Sequence, residues 1–239
     1  MPRRVDDFRG LTQLSRLRLL HAVQRLPGRR LTELADEVGL HVNTARDHLQ
    51  VLESEGLITS VPIATGHRGR PPVAFHPVQD ASSNREATRR VERAHLEAEV
   101  LRRISPATDH SDRLGDAGNR QFETLCSHLE DAGFEPAPHE SGLQIDLQPC
   151  PYLGMMAEDG TSVCDVHRTL VVHQLSQVPG PLGLDRFEPF AEPDRCSVTL
   201  AIAVSSDGAG QDPGRASRSM PATTSANAPT STSSHSPSA

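Results

Sequence analysis

Cys150, Cys164 and Cys196 are the residues of this 239-residue chain whose chemistry is most telling, with thirteen residues between the first pair and thirty-one between the second. His167 follows Cys164 by three positions, which on a helix puts both side chains on one face. A thiolate and an imidazole one turn apart, joined by two distant thiolates, can complete a four-coordinate site. The spacing contains no C-x-x-C pair, so buried or incidental thiols remain the alternative at this point. The fourth cysteine, Cys126, lies among Leu and Phe in a helical stretch and reads as a small core residue.

A second group of polar residues belongs to the N-terminal third. In VNTARDHLQVLESEG the apolar positions Ala45, Leu49 and Leu52 face inward, leaving Asn43, Thr44, Arg46 and Asp47 on the outer face of the first two turns. Those side chains donate and accept hydrogen bonds as base edges do. His48 is nearer the inner edge, as a packing or phosphate-facing residue. Further on, GHRGRP puts Arg68 and Arg70 on a turn-forming loop from which an arginine reaches a minor groove or phosphates.

The elements that position these residues follow from periodicity. TQLSRLRLLHAVQRL carries Leu14, Leu17, Leu20 and Val23 at spacings of three and stops at Pro27-Gly28. A second short helix is predicted from Thr32, as N-cap, through Leu34, Ala35 and Val38 to Gly39; the third runs from about Val42 to Gly56. Leu57 to Val61 and Val73 to Val78 then read as the two strands of a hairpin. Helix, Gly-containing turn and second helix form a helix-turn-helix, whose second helix lies in the major groove. The predicted DNA-binding domain covers residues 11–80.

Residues 81–106 are a linker, with a long helix over 82–104. Its Ala87, Val91, Ala94, Ala98 and Leu101, at spacings of 4, 3, 4 and 3, form a short heptad seam that predicts a homodimer. Residues 117–204 read as a small α+β unit: helix 119–132, strand GLQIDLQ, a loop and second helix, and the final strand CSVTLAIAV. The last 35 residues, 205–239, are Ser, Thr, Ala, Pro and Gly with few apolar anchors, the composition of a disordered tail. The expected class is therefore α+β, with a winged helix-turn-helix, a dimerisation helix, a sensor domain and a tail.

Composition agrees with this partition. Hydrophobic residues make up 36% and aromatic ones 3%, too little to fill a core over the whole chain. Residues 1–80 hold 11 Arg against 9 acidic residues, and residues 81–239 hold 13 Arg against 22, so +2 and −9 make the net −7. The N-terminal third is the polyanion-facing end. No stretch approaches the ~18 to 20 apolar residues of a membrane span, and MPRRVDDFRG has no apolar segment behind its positive charges, so a cytoplasmic protein is expected. No phosphate-binding Gly loop, HExxH or Ser/His/Asp arrangement speaks for an enzyme.

Residues 31–75 resemble winged-helix regulators of the ArsR and related types, in the pattern L-x-x-L-A-x-x-V-G-L, T-x-x-x-H-L-x-x-L-E-x-x-G-L-I and a G-R-G-R-P-like wing. The segments CPYLGMMAEDGTSVCDVHRTLV and FEPFAEPDRCSVTL are similar to the C-terminal half of SufR-type regulators, and the likeness spans roughly residues 11–204. What this resemblance implies is a repressor that binds double-stranded DNA and holds an iron–sulfur cluster, of the 4Fe–4S type, controlling genes for cluster assembly. The family's cluster cysteines map onto Cys150, Cys164 and Cys196. Some members use a fourth cysteine; none lies in this motif region, so His167 is the expected fourth ligand, with Cys126 and an exogenous ligand behind it. Three alternatives stand beside it: a Zn²⁺ site on the same residues, a small-molecule effector, and a thiol redox enzyme.

Overall fold

The computed structural model describes residues 11, 13–64, 71–104, 110–140, 142–192 and 194–203. Arg68, Arg70 and the tail 205–239 lie outside the described residues.

The first helix, α1 (Leu14–Arg25), buries Leu17, Leu19, Leu20, Ala22 and Val23, so the predicted stripe is broadened by two positions toward the core. The helix α2 (Leu31–Val38) starts one residue before Thr32. Its N-cap is Arg30, whose backbone N–H donates to Glu33 Oε2 at 2.7 Å. Thr32 is thus inside the first turn, a correction to its predicted capping role: Glu33 supplies the acceptor for the helix start, leaving the threonine hydroxyl no capping task. Gly39, at φ +71, ends α2. The third helix, α3 (Val42–Ser54), buries Ala45, Leu49 and Leu52 as expected from their spacing.

The hairpin strands β2 (Ile58–Pro62) and β3 (Val73–Pro77) pair antiparallel from Ile58↔Pro77 to Pro62↔Val73. A two-residue strand, β1 (Arg29–Arg30), adds to the other edge of β3, giving the order β1-β3-β2. Glu53 of α3 accepts from both the N–H and hydroxyl of Ser60, at 2.9 and 2.7 Å, which fixes the hairpin base against α3.

On the helix α4 (Arg85–Ile104) the described seam positions are covered to different extents. Ala87 and Ala94 are fully buried, Val91 and Ala98 half-buried, within this one chain. The covering element is α5 (His110–Asp131), joined through the Arg93–Asp131 ion pair and His95 Nε2 to Thr124 Oγ1 at 3.3 Å. An apolar seam is satisfied by any apolar partner, and α5 is the nearer one. The exposed apolar residues of α4 are instead Leu96, Val100 and Ile104.

The start of α4 also receives the exit of α3. Gly56 sits at φ +70, and a Cβ there would lie 2.9 Å from the Ala87 backbone nitrogen. Gly56→Ala is expected to destabilise the chain by more than the ~1–2 kcal/mol of the left-handed backbone alone, because α4 must also shift. Gly39→Ala, with the same φ and nothing within 4 Å, should show only the smaller loss. Equal losses in urea unfolding would refute the close approach.

The C-terminal unit has two strands beyond the sequence reading. After α5, which begins nine residues earlier than expected and kinks at Gly115, come β4 (Glu135–Pro138) and β5 (Gln144–Gln148). The helix α6 (Met156–Gln177) follows, then β6 (Leu182–Glu192) and β7 (Arg195–Ile202). The sheet order β4-β5-β7-β6 makes two helix-hairpin repeats that meet at β5–β7. Ile145, Leu147, Cys196, Val198 and Leu200 form one buried face with the apolar sides of α5 and α6, while Gln144, Asp146, Arg195 and Thr199 line the other.

Candidate functional site

At the N-terminus of α3 the N-cap is His41, whose Nδ1 accepts the Asn43 N–H at 3.2 Å. Asn43, Thr44, Arg46 and Asp47 are all exposed. Arg46 donates to Asn43 Oδ1 at 2.8 Å, so two of the candidate base-reading groups hold each other in the free protein. His48 is half-buried, and its Nε2 lies 3.1 Å from Ser15 Oγ of α1, a packing position.

Between α3 and the wing strands runs a cleft of about 620 Å³, lined by Arg30, Arg46, Gln50, Glu53, Ser60 and Pro72 among others. Arg30 and Gln50 are exposed and extend the polar surface on either side of Arg46. Sequence reasoning missed both. Arg30 was hidden because the α2 start was expected at Thr32, and Gln50 because it lies a turn beyond the residues nearest the helix N-terminus.

This arrangement, three helices with an α3 whose polar N-terminus is free and a hairpin fixed beside it, defines a winged helix-turn-helix DNA-binding module. Residues 12–61, spanning α1 to β2, match the family model of a helix-turn-helix domain, and this match points to a DNA-binding transcriptional regulator. No curated protein and no solved structure matches the chain.

The thiols come from three separate segments of the C-terminal unit. Cys196 stands on the buried sheet face, paired in register with Leu147, and Cys150 follows β5, its N–H donating to Asp194 Oδ1 at 3.1 Å. Cys164 lies on α6. Burial pushes the Cys164 thiol up to about 11, with further contributions from Cys196, Cys150 and Asp165. Cys150 is raised by burial too, opposed by a hydrogen bond from the Tyr152 N–H and aided by Cys196 and Asp194. The three thiols thus lie within electrostatic range of one another. Among the described residues, no three His, Cys, Asp or Glu side chains stand close enough to hold a single metal ion. Cys126 stands apart, half-buried on α5 and raised to about 12 by desolvation and then by Glu130 and Glu123.

The β6–β7 ladder opens at Cys196. Glu188 pairs with Ser197 and Glu192 with Arg195, so Cys196 alone faces Pro189, Phe190 and Ala191, a wide bulge with Phe190 at φ +55. Bulges interrupt pairing and re-aim side chains where a site needs space.

His167 is packed on its ring: its centroid is 4.3 Å from that of Tyr152 and 5.2 Å from that of Phe134, edge-on to the latter. Burial holds its pKa down at about 4, so the imidazole is neutral at pH 7. Its Nε2 is buried without a hydrogen-bond partner among the described residues. The residue lines a small internal cavity with His128, Leu129 and Leu170, and its ring faces the aromatic side chains directly.

Proposed function

We propose that this protein is a transcriptional repressor whose operator affinity is set by an iron–sulfur cluster held by Cys150, Cys164 and Cys196, with His167 as fourth donor. The observation that carries the reading is that three thiols from a loop, a helix and a strand lie within electrostatic range of one another in one fold with a helix-turn-helix. Thiolates are the usual cluster ligands. On the donor side, burial raises the Cys150 and Cys164 thiols in the absence of a cation, and the buried Nε2 of the neutral His167 imidazole is left unpaired among the described residues. A single Zn²⁺ ion, with Zn–S at ~2.3 Å, needs its thiolates packed within about 4 Å of one another. Among the described residues no three such donors stand that close. When bound, the cluster supplies a reversible, oxidant-sensitive link between the three segments.

The chain's own residues then divide the work. Asn43, Thr44, Arg46 and Asp47 face base edges, Arg30, Arg68 and Arg70 face phosphates or the minor groove, and the sensor half biases how they are presented. A homodimer would offer two recognition helices to half-sites ~34 to 36 Å apart. Anaerobic purification with iron and sulfide analysis tests the reading: a brown protein with iron and sulfide in equal amounts is expected. A colourless protein with one zinc per chain would overturn it.

Arg46→Ala should weaken binding to a selected duplex by about 1–3 kcal/mol, while leaving a scrambled duplex little affected. Equal losses on both would make Arg46 a phosphate contact only.

A further inference from the structure

The helix that carries Cys164 is also the one on which the DNA-binding half rests. Its C-terminal end is tied to the exit of β3, where Ser176 Oγ donates to the Gln79 carbonyl at 3.1 Å and Gln177 Nε2 to the Val78 carbonyl at 3.2 Å. Its N-terminal end is interrupted at Asp159 (φ −157, ψ 59), five residues before Cys164. With the far end anchored, a displacement of α6 around Cys164 is most readily taken up at this break.

Asp159 is the residue that α1 grips. Its Oδ2 accepts from Arg18 Nε at 2.8 Å, and the pair is partly shielded, with Asp159 24% and Arg18 43% exposed. One turn further along α1, His21 Nε2 lies 3.9 Å from Asp165, the residue after Cys164. Burial lowers the His21 pKa against the opposing pull of Asp165, whereas Arg18 carries a permanent charge to its contact. Cys164 therefore lies on α6 between Asp159 and Asp165, both of which face side chains of α1. On its other side α1 packs on α3 and joins it through Ser15 and His48.

We propose that Arg18 and Asp159 form a positioning pair that transmits the state of the thiol site through α1 to the recognition helix. The ligand part of this inference rests on the thiol site proposed above; the contact itself does not. A route through α1 lies within one chain, so it can change the presentation of α3 without any change at a subunit interface. Coupling of this kind is reciprocal, so DNA binding should alter ligand affinity by the same factor.

Two arms of one experiment on the full chain separate the pair from the site. In metal-free protein, hydrogen exchange of α1 and α3 should accelerate by about two- to fivefold in Arg18→Gln and in Asp159→Asn, and no further in the double variant, as loss of one partly shielded pair implies. The swapped pair, Arg18→Asp with Asp159→Arg, should restore slow exchange. Unchanged α3 exchange in both single variants would overturn the proposal.

In the second arm, Cd²⁺ is the thiol probe. It should alter α3 exchange in the wild type, and in the single variants should bind with the same stoichiometry yet leave α3 unaltered. An equal α3 response in the variants would overturn the pair's role. Should Cd²⁺ bind as well to the Cys150→Ser/Cys164→Ser/Cys196→Ser protein, the thiol-site reading fails, and the metal-free arm alone decides for or against the pair.

Discussion

Replacing Cys164 with serine should abolish the visible absorption and the bound iron of anaerobically purified protein, and Cys150→Ser and Cys196→Ser should each do the same. A serine oxygen is a poor substitute for a soft thiolate, and each of the three thiols comes from a different segment, so no neighbour can replace a lost one. Cys126→Ser should keep the full spectrum, because that thiol is on α5 and none of the other cysteines is among the groups that act on it. His167→Ala should assemble a cluster that is lost faster in air, since water or a small thiol can fill its position. Cooperating ligands predict operator affinity that follows iron content across the set, with Arg46 and Asn43 intact. A Cys164→Ser protein that retains its iron would remove the thiol nearest the α1 contact from the ligand set and leave the cluster reading without its chemistry.

The metal-free protein should lose up to about 3 kcal/mol of stability as pH falls from 6.5 to 4, from His167 alone. An imidazole in the unfolded chain takes its proton near 6.5, whereas burial delays protonation of His167 in the folded chain to about 4. Between those values the unfolded state binds more protons, so stability rises with pH. The contribution is complete above 6.5 and lost as pH falls through the window. His128 acts in the same direction, its pKa lowered first by burial and then by Arg90 and His167. Urea midpoints at pH 7.5, 6, 5 and 4.5 measure the slope, and His167→Phe, which keeps a ring beside Phe134 and Tyr152, should flatten it. A variant with the wild-type slope would show that other groups carry the acid sensitivity.

The DNA-binding half was legible almost residue by residue. Leu34 and Ala35, then Ala45, Leu49 and Leu52, form local stripes that only a helix satisfies, and the same positions are buried in the fold. The exit at Gly56 was visible for a similar reason, since a glycine after a periodic run marks a helix end. The start of α2 was misread because Thr32 and Glu33 both invite a capping assignment, and only the Arg30 N–H bond to Glu33 resolves them. In the C-terminal unit, β4 is Glu-Pro-Ala-Pro, and two prolines look unlike a strand unless it lies at a sheet edge, as this one does. The strand β6 was concealed by its bulge opposite Cys196, which breaks the alternation that marks a strand.

What the amino-acid sequence determined by itself was local: helix faces, turns, the exposed end of α3 and the residue types able to bind DNA or metal. The tertiary structure decided who meets whom. The seam of α4 was readable as apolar, but that α5 covers it follows from packing between segments more than thirty residues apart. The spacings of the cysteines carry no repeat, and that Cys196 lies opposite Leu147, three positions before Cys150, follows from β5 pairing with β7. The contact of Arg18 with Asp159 spans 141 positions. Periodicity records the environment along one helix or strand, because successive side chains sample its faces in turn. Contacts between distant segments arise from competition among many possible pairings for the same buried surface, and no single stretch of sequence contains the partner that wins.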